Sequence, residues 1–413
     1  MAATMRRVAI TGMGVISPVE NTKEEFFNNL LEGKSGIKRL SAPFADLLTT
    51  KIAAEVDFSP EEHFTKKIAR TLDRVSQFAL VAASQAWEDA GLELDEEEKK
   101  RAGVYIGTGM GGARTIEDTY MQVYKNQVKR VSPLTVVMIM NNAPASHLSI
   151  QYGFRGPCLT FSTACSSSAV AIGEAFRQIK DGYADVMLAG GAESLLGLVI
   201  IMSWQSIGTL AHEAEDPSTS CRPFSLDRTG FVLGEGAAIF VLEKMDRAKA
   251  RGARIYGELV GYGSTADATH IARPSLEGQA RAISLALAEA RLGPGDIDYI
   301  NAHGTATVLN DIVETQAIKK VFGQRAYEIP VSSTKSMHGH LLGATGAVEL
   351  VASVLAMTYQ AVPPTATLMA PDPECDLDYV PGKGRTGQNI RTVMSNSFSF
   401  GGTNAVLIVR KYE

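Results

Sequence analysis

The chain is short of every feature that would take it out of the ordinary soluble classes. Only four of its 413 residues are cysteine, Cys158, Cys165, Cys221 and Cys375. That is too few for the disulfide framework of a small secreted domain. No CxxC or HExxH spacing occurs, so the common zinc motifs are missing and no metal site is expected. Positive charge is not in excess: 40 Lys and Arg face 45 Asp and Glu, for a net charge of −5. This excludes the electrostatic footprint of a nucleic-acid binder. The longest apolar stretch, Leu195 to Met202, falls far short of the roughly 20 residues that span a bilayer. The opening "MAATMRRVAITGMG" has neither the apolar run nor the cleavage site of a secretory signal. A reduced, cytoplasmic protein with no membrane span and no nucleic-acid partner is expected.

What is present is periodic. Hydrophobic residues make up 45% and charged residues 21%, an ordinary globular balance. Strand-like runs such as "RVAITGMGVI" and "AGVYIGTGMGG" alternate with helical ones such as "SQFALVAASQAWEDAG", which predicts an α/β protein with buried sheets. The pattern also echoes itself. "AGVYIGTGMGGARTIEDTY" followed by "LTFSTACSSSAVAIGEAF" is matched by "IDYINAHGTATVLNDIVETQAIKKVF" followed by "IPVSSTKSMHGHLLGATGAVELVASVLAM". Each member reads strand, small polar turn, helix. The echo predicts two similar halves, 1–252 and 253–413, with a site where matching turns converge.

Chemistry-bearing residues sit in those turns. Cys165 lies between a strand-like end at Leu159 and Phe161 and a helical face of Ile172, Ala175, Phe176 and Ile179. A thiol at a helix start feels the positive end of the dipole, which favours the thiolate. The small neighbours Ala164 and Ser166 to Ser168 leave room for a substrate. The blander alternative, inert packing, is usual for cysteine and is the expectation for Cys158, Cys221 and Cys375. "NAHGTAT" places His303 just after a strand, beside Thr305 and Thr307. "STKSMHGHLLGATGAVE" supplies Lys335, His338, His340 and Glu349. Neutral imidazoles can accept a proton or hydrogen-bond a developing oxyanion. Lys335 could instead be a simple partner for Asp311 or Glu314. His338 is expected to point away from His340 if the stretch is extended. Finally, "SNSFSFGGTN" sets Phe398, Ser399, Phe400 and Gly401 in a glycine-rich loop, able to offer a backbone N–H to an oxyanion and an aromatic lid to an apolar pocket.

The ordered set Cys165, His303, Lys335, His340 and Phe400, running from "VAITGMGVISP" through "RPFSLDRTGFVLGEGAA" to "SFSFGGTNAVLIV", resembles the β-ketoacyl-acyl-carrier-protein synthases, in particular the 3-oxoacyl synthase II type of fatty-acid synthesis. The resemblance covers essentially the whole chain. It implies a duplicated thiolase fold of five layers, α-β-α-β-α, usually a homodimer, with a heterodimer open. It implies that Cys165 carries the acyl group and that His303 and His340 assist decarboxylation of malonyl-carrier protein. The backbone N–H groups of Cys165 and Phe400 would form the oxyanion hole. Thr305 and Thr307 match pantetheine contacts, and Met110 in "GTGMGG" matches a position lining the acyl tunnel. Lys335, with Asp311, Glu314 and Glu349, matches a charge network that should orient His340. No cofactor is implied beyond the phosphopantetheine on the acyl carrier protein, and a monovalent cation near Asn301, Glu349 and Asn396 is left open. The chain departs from the family in His338 (usually Thr), Ser399 (usually Gly), and Val308 and Asn310 (commonly Pro and Gly). "LLGLVIIMSWQSIG" also lacks the usual Gly-Phe and arginine. These changes bear on gating, docking and chain length rather than on catalysis.

Four activities compete on this evidence. They are elongation of fatty acids, a specialised ketosynthase for a polyketide, polyene or modified chain, a silent chain-length partner in a heterodimer, and a Cys-His hydrolase. A silent partner is expected to lose its nucleophile, and a hydrolase needs one base and one orienting group rather than two histidines and a lysine network.

Overall fold

The computed structural model describes residues 6–413. Its centre is a ten-stranded sheet. Five strands come from the first half: β1 (Val8–Ile16), β2 (Ala102–Gly107), β3 (Cys158–Phe161), β4 (Val186–Glu193) and β5 (Gly236–Lys244). Five come from the second: β6 (Gly257–Ala266), β7 (Tyr299–Asn301), β8 (Val331–Ser332), β9 (Thr392–Phe398) and β10 (Thr403–Arg410). Read outward from the middle, the order is β1-β5-β4-β2-β3 on one side and β6-β10-β9-β7-β8 on the other. The two orders are the same. In both, the outer three strands are parallel and the inner pairings antiparallel. The halves meet where Val8–Ile10 of β1 pair with Gly257–Leu259 of β6.

Helices cover both faces, which is why the inner strands read as continuous apolar runs rather than alternating ones. All nine residues of β1 are buried. On the outside of the first half lie α1 (Arg74–Ala90) and α2 (Ala143–Tyr152), packed on β1, β2, β4 and β5. Between the halves run α3 (Ser167–Lys180) and, later in the chain, the helix Thr345–Tyr359. Outside the second half lie α4 (Leu276–Ala290) and α5 (Val308–Phe322); the central helix Thr345–Tyr359 is α6. The result is the five-layer α-β-α-β-α arrangement of the duplicated thiolase fold.

The central helices are apolar because both sheet halves bury them. Every residue of α6 from Thr345 to Met357 is buried, the mark of a helix enclosed on all sides. The segment Leu342–Tyr359 has the length and hydropathy of a membrane span, yet 89% of it is buried inside the molecule, so it serves as core. The halves approach closely at Gly173 of α3, where an added Cβ would lie 2.3 Å from the ring of Tyr262 on β6. Parallel strands β3, β7, β8 and β9 all deliver their C-terminal ends to one region. The chain leaves them at Cys165, His303, Lys335 and Phe400, the usual place for a site in an α/β sheet.

Candidate functional site

Cys165 sits in a one-turn 3-10 segment, Ala164–Ser166, between β3 and α3. The turn is tight enough to hold Ala164 at φ +52°, a conformation an alanine keeps only under constraint. The three serines supply that constraint. Ser166 Oγ donates to the Thr163 carbonyl (2.9 Å), and Ser167 Oγ donates to the Ala164 carbonyl (2.6 Å) while accepting from the Thr163 N–H (2.9 Å). Ser168 Oγ accepts the Ala347 N–H at 2.9 Å, tying α3 to α6. The thiol is buried, and burial pushes it up to about 12, against the Lys335 charge and the backbone N–H groups of Phe400 and Cys165 itself. This corrects the expectation of a thiolate favoured by the helix dipole. Desolvation outweighs the dipole, and the resting group is a neutral thiol. Of the other cysteines, Cys221 and Cys375 are buried as expected, but Cys158 is exposed on the edge strand β3.

The two histidines reach the thiol from the second half. Cys165 Sγ and one ring nitrogen each of His303 and His340 lie within 4.8 Å of one another, all buried. The rings stand nearly perpendicular, 82° apart with centroids at 5.5 Å. Burial holds both well below the ordinary imidazole range, and the Lys335 charge adds to it. Both are therefore neutral near pH 7. The ammonium of Lys335 lies 3.5 Å from His303 Nδ1; a donor on that side makes Nδ1 the acceptor and leaves the proton on Nε2. His340 Nδ1 pairs with the Thr345 hydroxyl at 2.9 Å, and with that hydroxyl donating, Nε2 carries the proton. Among the described residues none hydrogen-bonds His340 Nε2. Two N–H donors thus face the sulfur. The same tautomer, with an ammonium behind it, makes this trio a poor cation site.

Lys335, Glu314 and Glu349 form the expected network, but it serves His303 rather than His340. Lys335 Nζ is bonded to Glu349 Oε1 (2.5 Å) and to the His303 carbonyl. Glu314 accepts the N–H groups of His303 (2.8 Å) and Gly304 (2.7 Å). His340 is instead fixed by Thr345, by its own N–H on the Val232 carbonyl (2.7 Å), and by the Phe231 ring. Asp311 is also outside the lysine's reach; it accepts the Phe224 N–H (2.8 Å) and faces Arg228 at 3.6 Å. His338 was expected to point away from His340 in an extended stretch, but the stretch is not extended. Residues Lys335–His338 form a helical turn rather than an extended segment, and the ring is spent on Gly339 O (2.8 Å) and Thr334 Oγ1 (2.9 Å). Three buried oxygens beside the network, Asn301 Oδ1, Asn396 Oδ1 and Glu349 Oε2, meet no donor. Such hard oxygens fit a monovalent cation.

A cavity of about 390 Å³ opens over the thiol, lined by His303, His340, Thr305, Thr307, Phe398 and Phe400 among others. The two threonine hydroxyls lie 2.8 Å apart. Phe398 is buried against His303, while Phe400 leans on Trp204 with ring centroids at 5.8 Å. Ser399 fastens this loop: its Oγ donates to the Thr403 carbonyl (2.7 Å) and lies 3.3 Å from the Oγ of Ser166, the residue after Cys165. Gly401, at φ +86°, donates its N–H to Ile271 O at 2.7 Å. Met110 is not in this cavity and stands 48% exposed in the single chain. Sequence reasoning missed Glu193, a fully buried carboxylate whose Oε2 accepts the N–H groups of Gly109 (2.6 Å) and Gly343 (2.9 Å). It ties the Met110 turn to the turn after His340. Thr345 and Trp204 were missed too: both lie inside stretches read for other residues, and nothing in their spacing marks their partners.

The Beta-ketoacyl synthase, N-terminal domain, matches residues 5–248, and the Beta-ketoacyl synthase, C-terminal domain, matches residues 256–369. A 3-oxoacyl-[acyl-carrier-protein] synthase 2 of Synechocystis sp. is 43% identical over 411 residues, covering 99% of both chains. The protein of the same name from Coxiella burnetii is 44% identical over 409 residues, 98% of this chain and 99% of its own. Among solved structures, a type II PKS ketosynthase in complex with its acyl-carrier protein and bound to the hexaketide superimposes with a TM-score of 0.91 at 35% identity, covering 99% of this chain and 100% of that one. The ishigamide ketosynthase/chain length factor gives 0.91 at 34% identity, with the same coverage. By its matches to both family domains and its full-length similarity to these relatives, the chain belongs to the beta-ketoacyl synthase family.

Proposed function

We propose that the protein is an acyltransferase that elongates an acyl thioester by two carbons through decarboxylative Claisen condensation. The observation that carries this reading is the buried trio of Cys165, His303 and His340, with all three reacting atoms within 4.8 Å. In the first half-reaction Cys165 attacks the acyl thioester. Its proton is taken up by the departing sulfur as the thioester C–S bond breaks, since a thiol at about 12 reacts only as its proton leaves, and the two Nε2–H groups donate to the thiolate character that develops. The N–H groups of Cys165 and Phe400, both directed at the sulfur, lie where the tetrahedral oxyanion develops. In the second, a malonyl thioester places its carbonyl oxygen between the two Nε2–H groups. The C–C bond to its carboxylate breaks, CO₂ leaves, and the electron pair becomes an enolate held by those donors. The enolate carbon attacks the acyl carbonyl on Cys165, the C–S bond breaks, and the released thiolate recovers a proton. Neutral histidines suit this work: they donate to an oxyanion without presenting a full charge to the departing CO₂. A monovalent cation on Asn301, Asn396 and Glu349 would supply fixed positive charge behind Lys335.

The acyl groups arrive on a carrier protein in this reading. Six exposed cations, Lys66, Lys67, Arg70, Lys125, Lys129 and Arg130, have no carboxylate partner among the described residues. Asp73, just after the first group, accepts the Thr115 N–H and hydroxyl, and we take these cations as the docking face for an acidic carrier. A homodimer completes the molecule, with a heterodimer the alternative. Fatty-acid elongation is favoured over a specialised pathway by the 3-oxoacyl synthase names of the full-length relatives. Incubation with an acyl-carrier protein followed by peptide mass spectrometry should place the acyl group on Cys165. Addition of malonyl-carrier protein should then release CO₂ and a product two carbons longer. Acyl transfer to another cysteine, or an intact condensation in Cys165→Ala, would overturn the reading.

A further inference from the structure

Among the described residues nothing pairs with either atom of the Gln279 side-chain amide, although the residue is completely buried. It stands in the first turns of α4, whose start is fixed by Ser275 capping the Gly278 N–H (3.2 Å). That fixes Gln279 in the wall of the cavity over Cys165, alongside Asp267, Asn404 and Phe400. The polar groups around it are already satisfied by one another. Asn404 Nδ2 donates to Asp267 Oδ1 (2.7 Å) and Thr265 Oγ1 (3.2 Å), Asp267 Oδ2 accepts the Ser275 N–H (3.1 Å), and Thr265 Oγ1 donates to Gly278 O (2.8 Å). In the same lining one of the Thr305 and Thr307 hydroxyls donates to the other, and Ser399 is spent on Thr403. Among the described residues of this wall, Gln279 is left with an unpaired amide donor and an unpaired amide acceptor, and Thr209 Oγ1 with an unpaired hydroxyl.

A buried primary amide without partners costs stability, so in a folded protein it ordinarily meets one when the site is filled. The cavity that Gln279 lines also takes in Thr305 and Thr307 and does not reach Met110. An entering thioester therefore passes Gln279 with its arm rather than with its acyl chain. The arm of a phosphopantetheine thioester carries amide groups, each with one N–H and one C=O, the complement of what Gln279 offers. We propose that Gln279 is a specificity residue that hydrogen-bonds an amide of the phosphopantetheine arm. This rests on the acyl-transfer reading given above.

The test separates the two. Gln279→Met keeps the length of the side chain without its polar end, and Gln279→Leu is a second apolar replacement in case the first packs badly. Acylation of Cys165 is followed by mass spectrometry with hexanoyl-phosphopantetheine and with the S-ethyl thioester of hexanoate, which has no amide. Removal of an unpartnered buried amide should leave Tm unchanged or raise it, the pattern of a residue kept for function. KM for the phosphopantetheine thioester should rise about tenfold, the loss of one neutral hydrogen bond, with kcat unchanged and the S-ethyl thioester unaffected. Equal changes on both thioesters, or no change on either, would sink the proposal. So would a loss confined to a 3-hydroxyacyl S-ethyl thioester, which would assign Gln279 to the acyl chain. In each of those cases continued acylation of Cys165 by the S-ethyl thioester leaves the condensing activity standing.

Discussion

At the scale of single residues, burial decides the chemistry. The same desolvation that raises the Cys165 thiol lowers His303 and His340, so none of the three reacting groups is charged at rest, and the charges lie behind them in the Lys335–Glu349 pair and Glu314. Catalysis then depends on donors aimed at charge that appears only during reaction. His303→Ala and His340→Ala should each lower condensation by about a hundredfold or more, the usual cost of one oxyanion donor, while Cys165 still accepts an acyl group. His338→Ala should be much milder, because both of its ring nitrogens are spent on Gly339 and Thr334. Single-turnover measurements of acyl-enzyme and CO₂ would show the division, and equal losses in all three variants would refute it. Much of this was legible in the sequence, since each reacting residue follows a strand-like run in a turn of small residues. What was not legible is the wiring. The spacing of Lys335 and His340 gives no hint that the lysine reaches back across β7 to His303, or that Thr345 takes its place at His340.

At the scale of elements, the loop between β9 and β10 shows how a few bonds set a motion. Gly401 and Gly402 take φ of +86° and +75°, conformations that leave the loop free to change shape. Ser399 opposes this through its bonds to Thr403 and Ser166. Ser399→Gly should release the Phe400 gate, raising the rate of Cys165 acylation severalfold with no change in the longest chain accepted. Stopped-flow acylation across a series of chain lengths would test it, and a shifted length limit with an unchanged rate would count against it. Strand and helix types were readable where the period was long, as in α1 and α3. The stretch Lys335–His338 was not, because its helical turn is set by tertiary burial of all four residues rather than by local propensity.

At the scale of the whole molecule, the duplicated sheet was visible as an echo, but its strand order was not; pairing across halves leaves no mark on either sequence. The fold also carries a cost in acid. His303, His338 and His340 are buried and held low, His338 to about 3, whereas each returns to about 6.5 on unfolding. The unfolded state therefore binds more protons below pH 6.5, and stability is full above that pH and lost as pH falls. The three together should cost about 4 kcal/mol per pH unit. His338→Thr, outside the reacting trio, should flatten that slope by about a third in urea unfolding between pH 5 and 6.5; an unchanged slope would mean the ring is not held neutral.

The outer edge of the first half points to a second chain. Strand β3 ends the sheet with Leu159 51% exposed and Cys158 open. Around it Val136, Val137, Met140 and Ile150 are also exposed, Ile150 at 78%. An apolar edge strand of this kind invites pairing with another copy of itself, and a two-fold contact buries the same patch on both chains. The Met110 turn belongs to this side of the molecule: β2 runs directly into it, and β2 is the neighbour of β3 in the sheet. The acyl tunnel expected at Met110 would thus be closed only in the assembled dimer. Sedimentation should give twice the 44.2 kDa of the chain, and Leu159→Asp should shift it toward monomer. Each methylene buried in the tunnel contributes about 0.8 kcal/mol, so longer acyl chains should be preferred up to a sharp limit. Met110→Trp should shorten that limit while leaving short-chain acylation of Cys165 intact. Leu159→Asp should blur the limit, because it opens one wall of the tunnel. A Met110→Trp protein with an unchanged length profile would place the tunnel elsewhere, and a monomeric Leu159→Asp protein with a sharp limit would show that one chain closes it alone.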